Sequence, residues 1–440
     1  MNKKVVYLIL CLLIIGIGVS VVFWVTADQK VRKHRPNAEL DLKRQYEIKV
    51  WDMVNPNMYV SEEMQHKVWE QVINDFEKQY ENVTVTYTLM EEETFSRRVK
   101  RGAKQNKMAD IIIDWHGTPF VDKANQFPLE KYLNFEEDFL AGATRYVTGQ
   151  EGVLAYPILA NGEYIVANRD LLEDVDKVAE EGWGFTEFTE SFKSASQEMY
   201  VIDYQGYFTA SMLTQVNITA VEADEKLNWY SQGFVKMYNE IDNLKENKVI
   251  GYNPNWLKNF WHKEAPAIAG ADSWVYLETI QRNEKLDNNE IKAPGSTHKI
   301  NPVLLPYPQI EPEQPRYGMK VVSAIPFVQK DYKGDDHSKL VVDFVQFMSG
   351  YFVDYYAMQS CLVPVDKRLH AHWKENTVLD DVSYTTAIKT VENGLPIRSR
   401  FFKDIEEEAK VLEKVQPILD EYWQSSGGIE KLIEGIQKEG

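Results

Sequence analysis

Three short stretches place an aromatic ring beside groups that hydrogen-bond. Trp51, Asp52 and Asn55 form the first; Asp114, Trp115 and His116 the second; Ser273, Trp274 and Tyr276 the third. An indole face covers the apolar side of a saturated, polyhydroxylated ring, while carboxylates and amides satisfy its rim of hydroxyls. Such stretches therefore suit reversible capture of a polar cyclic ligand. Trp274 is the leading candidate for a stacking residue, since the small residues from Ala265 to Ala271 let backbones approach closely before it. If that run is a strand that continues, Tyr276 shares the face of Trp274.

Covalent chemistry finds less support. The chain has neither a G-x4-G-K-[ST] loop nor a G-x-G-x-x-G turn, so nucleotide sites lack their usual signature. The closest histidines, His370 and His372, have no nearby cysteine and no H-E-x-x-H context, so neither a metal nor another cofactor is expected. Glu91, Glu92 and Glu93 stand where a helix should begin, and acids there oppose the positive end of its dipole. Paired carboxylates brought together by folding keep a carbohydrate-active enzyme open as an alternative, but binding without catalysis is the expectation.

The elements that must hold these residues follow from periodicity. Glu47 to Trp51 alternates as a strand. Ser61 caps a helix whose apolar residues Met64, Val68, Val72, Ile73, Phe76 and Tyr80 recur at three- and four-residue steps. Val83 to Leu89 is β-branched, Glu91 to Gln105 helical, and Asp110 to Asp114 a strand buried on both faces. Strands alternating with helices imply a parallel sheet, and ligands bind such sheets outside the carboxyl ends of the strands, where Trp51, Asn55 and Asp114 to His116 would lie. Tyr156 to Asp170 (YPILANGEYIVANRD) is extended on either side of a polar break at Asn161 and Gly162, and is read as a hinge between two lobes. Helices are expected over 186–199, 221–248 and 337–349, and a strand over 320–327.

This hinge stretch resembles the Tyr-Pro and Tyr-Asn-x-Asp-Leu pattern of the extracellular solute-binding proteins of ABC transporters, the maltose-binding and related sugar-binding family. It does so through Tyr156, Pro157, Asn161, Asn168, Asp170 and Leu171, with Ala167 where the tyrosine usually stands. DIIIDW (110–115), GYFT (206–209) and GADSW (270–274) match further segments in order, so the resemblance spans roughly residues 45 to 365. It implies an α/β, two-lobed periplasmic-binding-protein-like fold of type II, a carbohydrate ligand (an oligosaccharide) in the cleft, and ABC permease subunits as membrane partners. It also implies that Asn161, Tyr207 and Trp274 face the cleft. A membrane-anchored ligand sensor with the same fold is the alternative.

Composition agrees with two lobes, since 440 residues exceed what one core supports. The expected division is 46–162 and 304–365 in the first lobe, with 163–303 and the C-terminal helices of 366–440 in the second. The net charge is −18, and residues 1–27 hold two lysines and no acid, which leaves −20 on the rest. Nucleic acid is therefore not an expected partner. Residues 5–27 carry no charge, enough for a membrane-spanning helix, and the resemblance implies that this helix anchors an extracellular body, unless small-residue cleavage after Ala27 releases it. Residues 28–45 read as a polar tether.

Overall fold

The computed structural model describes residues 37–54, 61–121, 125–194, 198–202, 207–216, 232–270, 273–291, 298–327, 333–397, 405–424 and 428–439. The anchor expected over 5–27 lies outside them, and among the described residues no helix is long and apolar enough to cross a membrane.

Two sheets organise the chain. Its strands are β1 (Tyr46–Met53), β2 (Val83–Met90), β3 (Ile111–Asp114), a short hairpin of β4 (Thr148–Gly149) and β5 (Gly152–Val153), β6 (Tyr156–Gly162) and β7 (Ile165–Asn168). There follow β8 (Met199–Val201), β9 (Ile250–Gly251), β10 (Ala267–Ala269), β11 (Pro302–Leu305), β12 (Tyr317–Pro326), β13 (Val363–Pro364) and β14 (Gly394–Pro396). The first sheet runs β13-β6-β12-β3-β1-β2 with β14 beside β12, and the second runs β11-β7-β10-β8-β9. β1 is parallel to β2 and β3 as the βαβ pattern requires, but β12 lies antiparallel to both β3 and β6, so the first sheet is mixed.

Local chemistry explains the elements of the first lobe. Along β1, Tyr46, Ile48 and Val50 are buried while Glu47 and Lys49 face out. Ser61 caps the helix Glu62–Gln79 by accepting from the Met64 amide at 3.2 Å, and Glu62 and Glu63 follow in its first turn. Its buried Val68, Trp69, Val72 and Phe76 pack on the helix Asp335–Phe352, where the Phe76 and Phe344 rings meet edge to face at 4.9 Å.

The hinge lies where the alternation breaks. β6 belongs to the first sheet, β7 to the second, and only Glu163 and Tyr164 separate them. Gly162 is needed for close approach rather than for an unusual backbone angle: a Cβ there would sit 2.5 Å from the Tyr164 hydroxyl and 2.6 Å from Thr390 Cγ2. Alternation along β7 then sends Val166 into one core and Ile165 and Ala167 into the other. The chain returns to the first sheet between β11 and β12.

Several boundaries differ from the periodicity. The small-residue strand expected to end at Trp274, or to continue to Tyr276, is only Ala267–Ala269; Gly270 turns with φ +77°, and Trp274–Asp287 is a helix. The C-terminal segment does not belong wholly to the second lobe, since β14 pairs with β12. Its helix Ile405–Gln424 does pack there, through Leu419, Tyr422 and Trp423. The helix expected over 186–199 is Phe185–Ser194, and that over 221–248 is described only as Gln232–Glu246.

Candidate ligand-binding site

The carboxyl ends of β1 and β3 hold a buried polar knot. Asp52, fully buried, accepts the indole N–H of Trp69 on Oδ2 at 2.7 Å and that of Trp115 on Oδ1 at 2.8 Å, with the Met53 amide also on Oδ1. Burial pushes this carboxyl up to about 6, and the indole and amide bonds oppose the rise. The knot fixes Trp115, whose ring stacks on Phe352 at 5.9 Å and meets Tyr356 edge to face at 5.4 Å. Trp115 is half-buried, and these contacts fix the orientation of its ring.

Asp114 ends β3 and folds the next loop onto itself. Its Oδ1 accepts the His116 amide at 3.0 Å and the Thr118 hydroxyl at 3.4 Å. Its Oδ2 is buried without a hydrogen-bond partner among the described residues. Burial pushes the carboxyl up to about 7 against the loop amides that favour its charge. His116 places Nε2 at 3.6 Å from Glu92 Oε1.

Trp51 is not part of this group. A strand turns successive side chains to opposite faces, so Asp52 meets Trp69 while Trp51 points away, beneath the helix Glu92–Gln105. There the Arg98 guanidinium lies over its ring, 4.7 Å from the centre. The aromatic residue expected in the cleft is a packing residue of the opposite face. Asn55 lies outside the described residues.

The hinge joins the β3 loop to the second lobe. Gly117 comes within 3.8 Å, measured from a Cβ built on it, of Lys320 Cβ, and Lys320 pairs across β12 with Asn161 of β6. Asn161 Oδ1 accepts from Ser273 Oγ at 3.2 Å, and the Ser273 carbonyl lies 3.7 Å from Cys361 Sγ. Asn161 and Ser273 are thus brought together, and Ser273 immediately precedes the helix that Trp274 opens, without a side-chain cap bond. Trp274 is partly buried and meets Trp256 edge to face at 6.0 Å. Trp256 is a residue that sequence reasoning missed; the signal available was the helical spacing of Trp256, Leu257, Phe260 and Trp261 in the helix Trp256–Trp261.

Tyr276 is a correction. Because a helix begins at Trp274, the two rings point about 200° apart instead of sharing a face. Tyr276 is 2% exposed, and its hydroxyl accepts the Asp380 amide at 3.3 Å. Tyr207 begins the helix Tyr207–Thr214, and its side chain lies outside the described residues.

Two mixed sheets crossed by a hinge, with polar and aromatic groups at their strand ends, define a two-lobed α/β binding-protein fold. Solved structures show the same fold. The sugar-binding protein MalE from Xanthomonas citri aligns with a TM-score of 0.63 at 13% identity, covering 89% of this chain and 96% of its own. The cyclic alpha-maltosyl-1,6-maltose binding protein from Arthrobacter globiformis aligns at 0.62 and 11%, covering 90% and 97%. The GacH receptor of Streptomyces glaucescens, solved unliganded and with acarbose, aligns at 0.55 and 13%, covering 91% and 98%. No protein-family model matches the sequence, and no curated protein does.

Proposed function

We propose that the protein is an extracellular solute-binding component of an ABC transporter that captures a carbohydrate between its lobes and delivers it to the permease. The observation that supports this reading is the hinge contact of Asn161 with Ser273, which ties the residue preceding Trp274 to the strand that leads from one sheet to the other. Indole faces, a buried carboxylate oxygen without a partner and nearby amides match a ring with hydroxyls on its rim. The structural neighbours named for maltose-type sugars and acarbose support the same ligand class.

Capture needs no bond-making. One lobe binds the sugar first, and closure about Gly162 to Tyr164 adds the contacts of the other; the closed form is favoured only by the ligand's extra affinity for it. The proposed site is Asp114, Trp115, His116, Asn161, Ser273 and Trp274, with Asn55 and Tyr207 as further members. Residues 5–27 would hold the body at the outer membrane surface.

Thermal unfolding in the presence of oligosaccharides, peptides and polyamines tests the reading. A ligand at about 100 times its dissociation constant stabilises the native state by about 2.7 kcal/mol. A shift confined to saccharides is expected. A shift with polyamines or peptides instead would overturn the carbohydrate assignment while leaving the binding fold intact.

A further inference from the structure

A second site candidate lies on the first lobe, away from the strand ends just described. Residues 97–107, RRVKRGAKQNK, contain six cationic residues and no acid in a chain whose net charge is −18, so this concentration opposes the trend of the whole surface. The helix Glu92–Gln105 sets Arg98, Arg101 and Gln105 at three- and four-residue steps along one face. That face borders a groove of about 520 Å³ lined by Lys49, Trp51, Thr86, Thr88, Arg98 and Lys107 among others. Arg101 and Gln105 line its adjoining end.

The groove retains positive charge after its acids are counted. Asp110, at its inner end, is held by Lys333 at 3.0 Å, and Glu47 pairs with Lys49 at 3.0 Å. Among the described residues no carboxylate pairs with Arg98, Arg101, Lys104 or Lys107. A favourable helix dipole explains Lys104 in the last turn, but not Arg98, which lies near the middle. Arg98 is instead laid flat on Trp51, a packing that holds the guanidinium in place, with Nη1 donating to the weak acceptor Met90 Sδ at 3.6 Å.

We propose that this groove binds phosphate groups. Several unpaired cations close together suit an oxyanion of multiple charge better than a single carboxylate, the guanidinium fork of Arg98 can take two oxygens at once, and Thr86 and Thr88 add hydroxyl donors. Two sources share that chemistry, a soluble phosphate and a phospholipid headgroup. The groove lies near the rim where the chain enters the fold, since Lys333 at its inner end also reaches the Glu47 carbonyl at 3.2 Å, next to Tyr46 at the start of β1.

The test uses the full chain in a neutral detergent and calorimetric titration with three probes. These are sodium tripolyphosphate, dihexanoyl phosphatidylglycerol below its micelle concentration, and the zwitterionic phosphatidylcholine of the same chain length. Tripolyphosphate or phosphatidylglycerol binds and phosphatidylcholine does not; the former alone identifies a soluble phosphate, the latter alone a lipid headgroup. Affinity falls steeply with added salt, and falls about tenfold or more in R98Q. Because Arg98 also covers Trp51, the exposed pair R101Q/K107Q is made separately and weakens binding without a change in unfolding temperature. Absence of binding by both anions, or affinity unchanged in both variants, overturns the proposal.

Discussion

The Asp52 knot makes a prediction whose direction runs against intuition: D52N, which removes a carboxylate bonded to two tryptophans, gains stability relative to the parent as pH rises. The folded carboxyl titrates at about 6 against an ordinary value of 3.8, because burial outweighs the indole and amide bonds. That rise of about two pH units corresponds to about 3 kcal/mol. The sign follows from proton counts. Between the two values the folded state holds a proton that the unfolded state has released, so stability falls as pH rises through this window. Below about pH 4 both states are protonated and the penalty is absent; above about pH 7 it is present in full. Asparagine does not titrate, but its amide nitrogen cannot accept an indole N–H as an acid oxygen does. D52N should therefore fall below the parent by about 1–3 kcal/mol at pH 4, one indole donor being left without an acceptor. Relative to the parent it should gain about 2–3 kcal/mol between pH 4 and pH 8. Urea titrations followed by indole fluorescence at the two pH values, compared at equal slope, give both differences. If the difference between the two proteins does not move in favour of D52N from pH 4 to pH 8, the indole N–H groups hold the charged carboxylate more tightly than burial opposes it, and the reasoning fails.

Other perturbations test separate contacts. W115F removes the indole N–H from Asp52 Oδ1 and should destabilise the fold by about 1–3 kcal/mol, read from the urea midpoint. W274A should leave the unfolding transition cooperative but weaken binding of the sugar found in the ligand panel by about 1 kcal/mol or more; unchanged affinity in calorimetry removes Trp274 from the site. W51F, by contrast, should leave sugar affinity unchanged, because its ring lies under Arg98 on the far face. G270A should cost about 2 kcal/mol or more, since φ there is +77° and a Cβ would overlap the Ile202 carbonyl oxygen; a smaller loss by urea titration would show that this turn relaxes.

What was legible in the sequence was whatever depends on short-range pattern. The period of two in β1, the Ser61 cap and the all-buried β3 follow from side-chain chemistry within a few residues, and the structure has each of them. The hinge was legible because its break, Asn161 and Gly162, interrupts a run that is otherwise extended. The failures occur where a face had to be chosen. Choosing Trp51 treated the ring as the functional group of its stretch; strand alternation instead gives the inner face to Asp52 and turns the ring outward. Placing Tyr276 beside Trp274 assumed that a strand continued, whereas Gly270 at φ +77° ends it and the same two-residue spacing on a helix points the rings apart. Glycine at 162 serves closeness to Tyr164 and Thr390, one two residues on and the other far along the chain. Sequence spacing becomes geometry only once the element type is known, and a contact such as Asn161 with Ser273, across 112 positions, leaves no local trace. The pairing that joins the lobes is consequently what pattern cannot supply, although it decides whether the aromatic and acidic groups found by pattern can meet a single ligand.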